Sequence, residues 1–456
     1  MKMNRFIREA KGGFYTPAFL TLNIDSSDNL ELLMSAEGVS ERTEALFLHE
    51  YIHLLQDVTT ISGLVNIAVV VDYMKWATNI IKQGQLDVPC IPKIEDGYNL
   101  LPNAQLKKIC TGDGSLKDRF GNQIKWQETL NLELQKDGTI INGEKITSDL
   151  RLVISIKATD GNVYSYSVGE HCISETMAYL IENRIYNDVI ESPYDFPYRV
   201  INYVCEYVIP GFTNDTLNVI ALCDACMIHS FPGRALYYGL QILKKYENLT
   251  AKQIYNIITS PQMLEQTGVG KGVTLEQLLA RRKSDAIAQM SGYFTANYDS
   301  MIKWITQMIE AAFEIRSNNP YFMIDIANGR DIRNNKMFID ALNEIGCPVI
   351  MNNENNMVYI RNNKIDYDVH PPIFNVISQI YSILSKSTLQ HNTYRCQLIE
   401  WCKRDFEKNN NKDLTSEGDK CRCAPWERTS PEELFQCYFG QLWYTWGLKD
   451  VIPKNE

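Results

Sequence analysis

Residues 47–60 read FLHEYIHLLQDVTT, and this stretch decides how the N-terminal half of the chain folds. Ser40 is placed to cap a helix that runs from about Glu41 to about Asp57 and carries acidic side chains in its first turn. Apolar residues recur at helical spacing within it and predict a buried stripe: Ala45, Leu48, Ile52 and Leu55. His49 and His53 then lie one turn apart on the same side of the helix.

The spacing His49-Glu50-x-x-His53 predicts a metal site if the segment is helical. Both imidazoles can reach one ion, while Glu50, rotated by about 100° around the axis, lies beside the open coordination position. Zinc lowers the pKa of a bound water to near neutrality, and a carboxylate within reach can take its proton. The alternative interpretation is that the three side chains form the solvated face of an ordinary helix.

A catalytic zinc site needs a third protein ligand, and the extended motif that would place a histidine at position 59 is absent, because that residue is Thr59. The segment SVGEHCISETMAYLIEN (167–183) predicts a second helix, with Ser167 and Glu170 as a capping box. Glu175 on that helix would complete the ligand set. His171, one turn earlier, is an alternative ligand or a donor that stabilises the developing oxyanion.

The same segment has a competing interpretation. His171, Glu175 and Glu182 share one side of the predicted helix, as a solvent-exposed face would, whereas the small Ala178 on that side favours close packing of two helices.

HEYIHLLQD resembles the active-site helix of the zincin metallopeptidases, and its pairing with ETMAY resembles their gluzincin branch, which includes thermolysin. The resemblance implies that His49, His53 and Glu175 bind Zn²⁺ and that Glu50 is the general base. It also implies a peptide or protein substrate. Asp57 matches an aspartate that follows the motif in thermolysin-like enzymes.

Two features depart from that pattern. Tyr179 stands four residues after Glu175, where an aspartate often supports a ligand histidine. The long connection between His53 and Glu175 contains predicted antiparallel strands, whereas thermolysin-like enzymes have a short one. Zincins commonly align an extended peptide on an edge strand. FYTPAFLTLNID (14–25), predicted as one strand, or VYSYSV (163–168), with Tyr164 and Tyr166 on one side, are the candidates here.

The predicted fold class is α+β. Residues 1–285 form a mainly helical, zincin-like metallohydrolase domain with an irregular and β-stranded insertion at about 84–168. Residues 286–456 form a mostly helical domain that includes a short strand pair within 347–362. Capping boxes at Thr274–Gln277 and Ser430–Glu433 predict two helix starts in the C-terminal part of the chain.

Composition limits the function classes. With 45% hydrophobic and 22% charged residues the 456-residue chain is typical of a globular protein, and its net charge of −10 argues against a nucleic-acid partner. The most apolar run, LVNIAVVV (64–71), is too short to span a bilayer. Twelve cysteines without an export signal predict reduced thiols and a cytoplasmic protein without a membrane partner.

Other candidate sites are weaker. Cys223 and Cys226 lie in an apolar segment and read as core residues, and His229 at a helix end is more typical of a structural histidine than of a catalyst. A C-terminal group of cysteines is more suggestive of a metal, although its spacing fits no familiar pattern: Cys396, Cys402, Cys421, Cys423 and Cys437.

The sequence thus predicts a zinc-dependent metallopeptidase that uses Glu50 as base. The alternative is a non-catalytic interaction or scaffold protein with a structural metal site, because the C-terminal helical region is longer than a minimal peptidase needs and can bind a partner protein.

Overall fold

The computed structural model describes most of the chain, and every structural statement below concerns these residues: 13–35, 37–83, 109–141, 144–187, 189–190, 194–268, 272–292, 298–353, 356–363, 372–385, 395–417 and 420–453. The fold is α+β and mainly helical, as predicted, with two small sheets. The strands are β1 Gly13–Thr16, β2 Thr21–Ile24, β3 Trp126–Ile141, β4 Glu144–Ala158, β5 Val163–Val168, β6 Cys347–Asn352 and β7 Met357–Ile360.

Helices make up most of the described chain and contact both sheets. In chain order they are α1 Glu41–Thr59, α2 Ile61–Lys82, α3 Glu170–Tyr186, α4 Val200–Val208, α5 Thr216–Met227, α6 Pro232–Leu243, α7 Ala251–Ile258, α8 Pro261–Gln266, α9 Leu275–Ser291, α10 Asp299–Asn318, α11 Phe322–Ala327, α12 Lys336–Ile345, α13 Pro372–Ser385, α14 Ile399–Lys408, α15 Lys420–Cys423, α16 Pro431–Gln436 and α17 Tyr438–Thr445.

The first sheet has the strand order β1-β2-β6-β7. β1 and β2 form an antiparallel hairpin, and β2 pairs in parallel with β6, with Thr21 opposite Val349. The prediction of a single strand in FYTPAFLTLNID was therefore wrong. The chain reverses after Pro17, and Ala18 and Leu20 take left-handed backbone conformations, with φ of 64° and 53°.

The second sheet confirms the predicted hairpin set between the two motif helices. Its strands run antiparallel in the order β3-β4-β5, and Ile154 in the middle strand lies opposite Leu132 and Tyr166. Residues 84–108 of the predicted insertion lie outside the described part of the chain.

Helix α1 forms as predicted and lies at the centre of the molecule. The Ser40 hydroxyl accepts a hydrogen bond from the Thr43 N–H, at 3.3 Å, which satisfies a free donor at the helix start. The predicted stripe is buried, but the polar side is buried as well because the chain covers it from several directions. For example, the Tyr51 hydroxyl donates to the carbonyl of Gly346, just before β6.

Helix α3 packs against α1, and Ala178 in α3 has no exposed surface. Its start differs from the prediction. The helix begins at Glu170 with Gly169 as its N-cap and without a side-chain cap, so the predicted Ser167 capping box was wrong. The β5 strand runs to Val168 and leaves a single residue for the turn into the helix.

The division of the chain near residue 285 stays a prediction. Helix α9 runs through this position, and the first sheet contains strands from both sides of it.

Helix α2 is the one described helix whose length and composition would allow it to cross a membrane. In its most apolar window, 56% of the residues are buried inside the protein. The core helix of a globular protein meets the same criteria of length and composition.

Candidate metal centre

Three side chains from α1 and α3 converge at the interface of these helices. The Nε2 atoms of His49 and His53 lie 3.3 and 3.2 Å from the same oxygen, Oε2 of Glu175. The three residues are 6%, 2% and 1% exposed, so none of them belongs to a solvated helix face. Among the described residues, they are the one group of three or more His, Cys, Asp or Glu whose ligand atoms lie within 4.8 Å of one another.

Hydrogen bonds on the far side of each ring fix the tautomer of both histidines. His49 Nδ1 lies 2.8 Å from Oε2 of Glu182, an acceptor, so Nδ1 carries the proton. His53 Nδ1 lies 2.8 Å from Oε1 of Gln56. The Gln56 amide donates its Nε2–H to the Ser174 carbonyl, at 3.1 Å, which turns its oxygen toward His53. In its neutral form, each ring therefore directs the lone pair of Nε2 toward Glu175.

With both rings neutral, this arrangement brings three acceptors together, which a cation between them would satisfy. Protonating both imidazoles would place two positive charges in rings whose centroids are 5.0 Å apart in a buried site, which is costly. A single divalent ion satisfies all three lone pairs. Zinc bonds of about 2.0–2.2 Å put neighbouring tetrahedral ligands about 3.4 Å apart, close to the two distances here. The site fits a metal ion.

The surrounding charges favour a cation as well. Burial by itself lowers the pKa of His49. The hydrogen bonds that its ring donates to Glu175 and Glu182, together with the charges of Glu182 and Glu50, outweigh burial and raise that pKa well above its usual range. The local field thus attracts positive charge. Two imidazoles and a carboxylate are donors that Zn²⁺ and several other divalent ions accept.

Glu50 lies on α1 between the two histidines, is 2% exposed and faces the first strand. A Cβ atom placed on Gly13 would lie 2.9 Å from Glu50 Oε1 and 2.7 Å from the Asn23 carbonyl oxygen. Only glycine therefore lets β1 pass this close to the carboxylate. Because β1 is the terminal strand of the first sheet, this places a sheet edge next to Glu50.

Asp57 joins the β1–β2 hairpin to helix α1, which carries His49 and His53. Its Oδ2 atom accepts hydrogen bonds from the Tyr15 hydroxyl, at 2.9 Å, and from the Ala18 N–H, at 3.0 Å. The Tyr15 ring also stacks on His53, with centroids 6.4 Å apart. Asp57 thus positions the hairpin over the second histidine.

The remaining predicted site residues lie elsewhere. His171 is on the first turn of α3, half-buried, and a Cβ atom on Gly114 would lie 3.6 Å from its Nε2. It is not one of the three converging ligands, so a role as oxyanion donor stays a prediction. In β5, the Tyr164 hydroxyl donates to Asp160 and the Tyr166 hydroxyl to the Asp113 carbonyl.

His229 is a structural residue. It is fully buried, with Nδ1 2.7 Å from the Thr267 hydroxyl and Nε2 2.9 Å from the Ile258 carbonyl. Burial lowers its pKa to about 4, so the ring stays neutral at physiological pH.

The sequence interpretation missed three residues around the site. The resemblance would give position 179 the role of supporting a ligand histidine by a hydrogen bond. Here Glu182 contacts His49 instead, because it lies two helical turns after Glu175 on the same side of α3. Gln56, three residues after His53, was available from the helical repeat alone. The Tyr198 ring lies edge-on to His49, with centroids 6.3 Å apart, and no sequence signal pointed to it.

No protein-family model, curated protein or solved structure matches this chain.

Proposed function

We propose that the protein is a zinc metallopeptidase in which His49, His53 and Glu175 bind the ion and Glu50 is the general base. The observation that carries the proposal is the meeting of three acceptors at 3.2–3.3 Å, each histidine being held in the metal-binding tautomer by a partner behind it. A carboxylate between the two histidines, beside a sheet edge, adds the parts that hydrolysis of a peptide needs.

A zinc ion bound there would supply Lewis acidity and an acidified water. In this proposal Glu50 would accept the proton of the attacking water and return it to the departing amine. Glu175 would share the ion with His49 and His53, and Glu182 would keep His49 Nδ1 protonated during the reaction.

The first sheet suggests how a substrate aligns. β1 pairs with β2 alone among the described strands, so its other edge offers main-chain groups to an extended peptide. A peptide paired there passes Glu50 at Gly13, where the absence of a side chain leaves the carboxylate close to the backbone.

Burial favours a second candidate, a protein that retains the metal for structure alone. His53, Glu175 and Glu50 are at most 2% exposed, so a substrate must displace neighbouring groups before it reaches them. A structural site needs no such access.

Glu50→Gln separates these functions, since it keeps the three ligands and removes the base. The wild-type protein is incubated with a broad peptide library, with and without a chelator, and its metal content is measured. The peptidase predicts chelator-sensitive cleavage, abolished in Glu50→Gln with metal retained. Glu41→Gln, on the exposed first turn of the same helix, is the matched control. Full turnover by Glu50→Gln, or a protein without stoichiometric metal, contradicts the proposal.

A further inference from the structure

A loop before α4 places aromatic and basic side chains beside the candidate metal centre. This loop, residues 194–199, ends at Arg199, which is the N-cap of α4. The Thr176 hydroxyl donates to the Pro197 carbonyl, at 3.4 Å. Because Thr176 directly follows Glu175, the loop is joined to α3 next to the third proposed metal ligand.

Asp195 fixes the conformation of this loop. Its main-chain carbonyl accepts a hydrogen bond from the Arg199 N–H, at 2.9 Å. Its carboxylate accepts from the Tyr203 hydroxyl, at 2.6 Å, and from the Trp126 N–H, at 2.8 Å. The rings of Trp126 and Tyr203 also stack, with centroids 4.5 Å apart. The backbone of Arg199 is therefore ordered before any substrate binds, which lowers the entropy cost of binding through its side chain.

A series of ring contacts leads from a proposed metal ligand to the Arg199 guanidinium. The Tyr198 ring lies edge-on to His49 and also to Tyr179, with centroids 6.3 and 6.4 Å apart. The Arg199 Cζ atom lies over the Tyr179 ring, 6.0 Å from its centroid. Tyr198 is 7% exposed, whereas Tyr179 and Arg199 are half-buried. The series therefore begins at the buried site and ends where solvent has access.

The helical repeat sets the distance between this guanidinium and the metal site. Tyr179 lies one turn after Glu175 on the same side of α3, and Cβ atoms at that spacing are about 5–6 Å apart. Arg199 lies a further 6.0 Å from the Tyr179 ring. An extended peptide advances about 3.4 Å per residue. A peptide whose scissile bond is at the ion therefore reaches Arg199 with a group roughly three or four residues away from that bond.

The side chain of Arg199 suits a carboxylate. A guanidinium is charged at every physiological pH, and its planar fork matches the two oxygens of a carboxylate. Burial by itself lowers the pKa of Arg199, but the neighbouring hydroxyls of Tyr179 and Tyr203 outweigh it and raise that pKa, so the charge is kept. A half-buried guanidinium attracts an anion more strongly than one in bulk water and avoids the full desolvation cost of a buried ion pair.

We propose that Arg199 determines substrate specificity by binding a carboxylate of the peptide, three or four residues from the cleaved bond; this inference rests on the proposed peptidase function. The carboxylate is either the free C-terminus of a short peptide or the side chain of an aspartate or glutamate. Both sources present the same two oxygens to the guanidinium, so the structure defines the recognised group, and the experiment identifies its source.

The test compares three sets of N-terminally labelled hexapeptides as substrates of the zinc-loaded full-length protein. The first set has a free C-terminal carboxylate, the second is amidated and uncharged, and the third is amidated with one glutamate at each position in turn. We expect kcat/KM to be roughly tenfold or more higher for the first set, or for one position of the third, than for the second, since a hydrogen bond to a charged group contributes about that factor. The preferred set identifies the source of the carboxylate.

Variants of Arg199 show whether this residue causes the preference. Arg199→Gln should remove it, mainly by raising KM for the carboxylate peptides, and Arg199→Lys should keep part of it, because lysine retains the charge but lacks the planar fork. Arg184→Gln, at an exposed position of α3, removes the same charge and should keep the preference. A preference that survives in Arg199→Gln overturns the proposal, as does a wild-type protein that cleaves all three sets equally. If Arg199→Gln does not fold, the wild-type protein and Arg199→Lys decide.

Binding distinguishes failure of this inference from failure of the proposed function. The fluorescence anisotropy of the same labelled peptides is measured with zinc-loaded Glu50→Gln, which keeps the three proposed ligands. If the wild-type protein cleaves nothing but this variant binds a carboxylate set at least tenfold more tightly than the uncharged set, the peptidase fails and the carboxylate site stands. Equal affinity for all three sets overturns the carboxylate site, whatever the wild-type protein cleaves.

Discussion

The support that Glu182 gives to His49 yields a quantitative prediction. The Nδ1–Oε2 distance is 2.8 Å, and the two side chains are only 7% and 8% exposed, so water cannot replace this bond easily. Removing such a partner behind a metal-binding histidine typically costs 10–100-fold in metal affinity, which corresponds to about 1.4–2.7 kcal/mol. For Glu182→Ala we expect a loss of metal affinity near the upper end of this range.

For Glu182→Gln we expect a loss of metal affinity near the lower end of the same range. The amide keeps the volume and can still accept from Nδ1–H, but it lacks the charge that makes the imidazole a better donor to the ion. The two variants therefore separate orientation of the ring from electrostatic support.

The assay is a competition titration of Zn²⁺ between the apoprotein and a chromophoric chelator. Thermal unfolding with and without metal gives a second readout, because a ligand that binds only the folded state stabilises it according to its affinity. Glu170→Gln is the control: this residue is equally buried on the same helix but accepts from Asn66. Zinc affinity within twofold of wild type in Glu182→Ala would refute the argument that Glu182 supports the ligand.

Three further predictions concern stability. In the wild-type protein the buried His229 should cost about 3 kcal/mol of folding stability as the pH falls from about 6.5 to 4, because its pKa is lowered to about 4 in the native state while the unfolded chain is protonated near pH 6.5. His229→Gln should remove this pH dependence, which urea unfolding at several pH values measures. Arg316→Met should lower the free energy of unfolding, measured with urea, by about 3–5 kcal/mol. The reason is that it leaves the buried Asp224 carboxylate, whose oxygens lie 2.7 and 2.8 Å from the guanidinium, without its ion-pair partner. Adding Asp224→Asn should recover part of the lost stability. Gly13→Ala should cost about 1–3 kcal/mol and reduce turnover, whereas Gly114→Ala should do neither; equal behaviour of the two variants contradicts the crowding argument.

Helix starts were predicted correctly where an N-cap residue precedes apolar residues at helical spacing. Ser40 caps α1, and the capping boxes at Thr274 and Ser430 both form. Each depends only on residues within a few positions, which the sequence contains in full. Ser167 failed because β5 continues past it and Gly169 takes the cap position.

The convergence of His49, His53 and Glu175 was predictable from the sequence, but the environment of these three residues was not. Glu175 fits the spacing of a solvent face together with His171 and Glu182, and the two interpretations differ only in what covers that face. Helix α1, which lies far away in the sequence, covers this side of α3. The periodicity of α3 alone therefore could not distinguish a solvent-exposed face from a buried one. The role of Glu182 follows from the same packing.

Strand pairing was the least predictable part. Ala18 and Leu20 carry no sign of left-handed backbone conformations, so the hairpin was interpreted as one strand. The parallel partner of β2 comes from beyond residue 340, and parallel pairing leaves no turn signal in the intervening chain.

The pairing of β2 with β6 also bears on biosynthesis. Until residues 347–352 leave the ribosome, the nascent chain presents a strand edge with no partner, at a stage when both histidines and Glu175 have already been made. Unpaired edges promote association between chains. Truncated chains that end before β6 should therefore aggregate during expression. Any metal bound during translation would meet His49, His53 and Glu175 before the first sheet is complete.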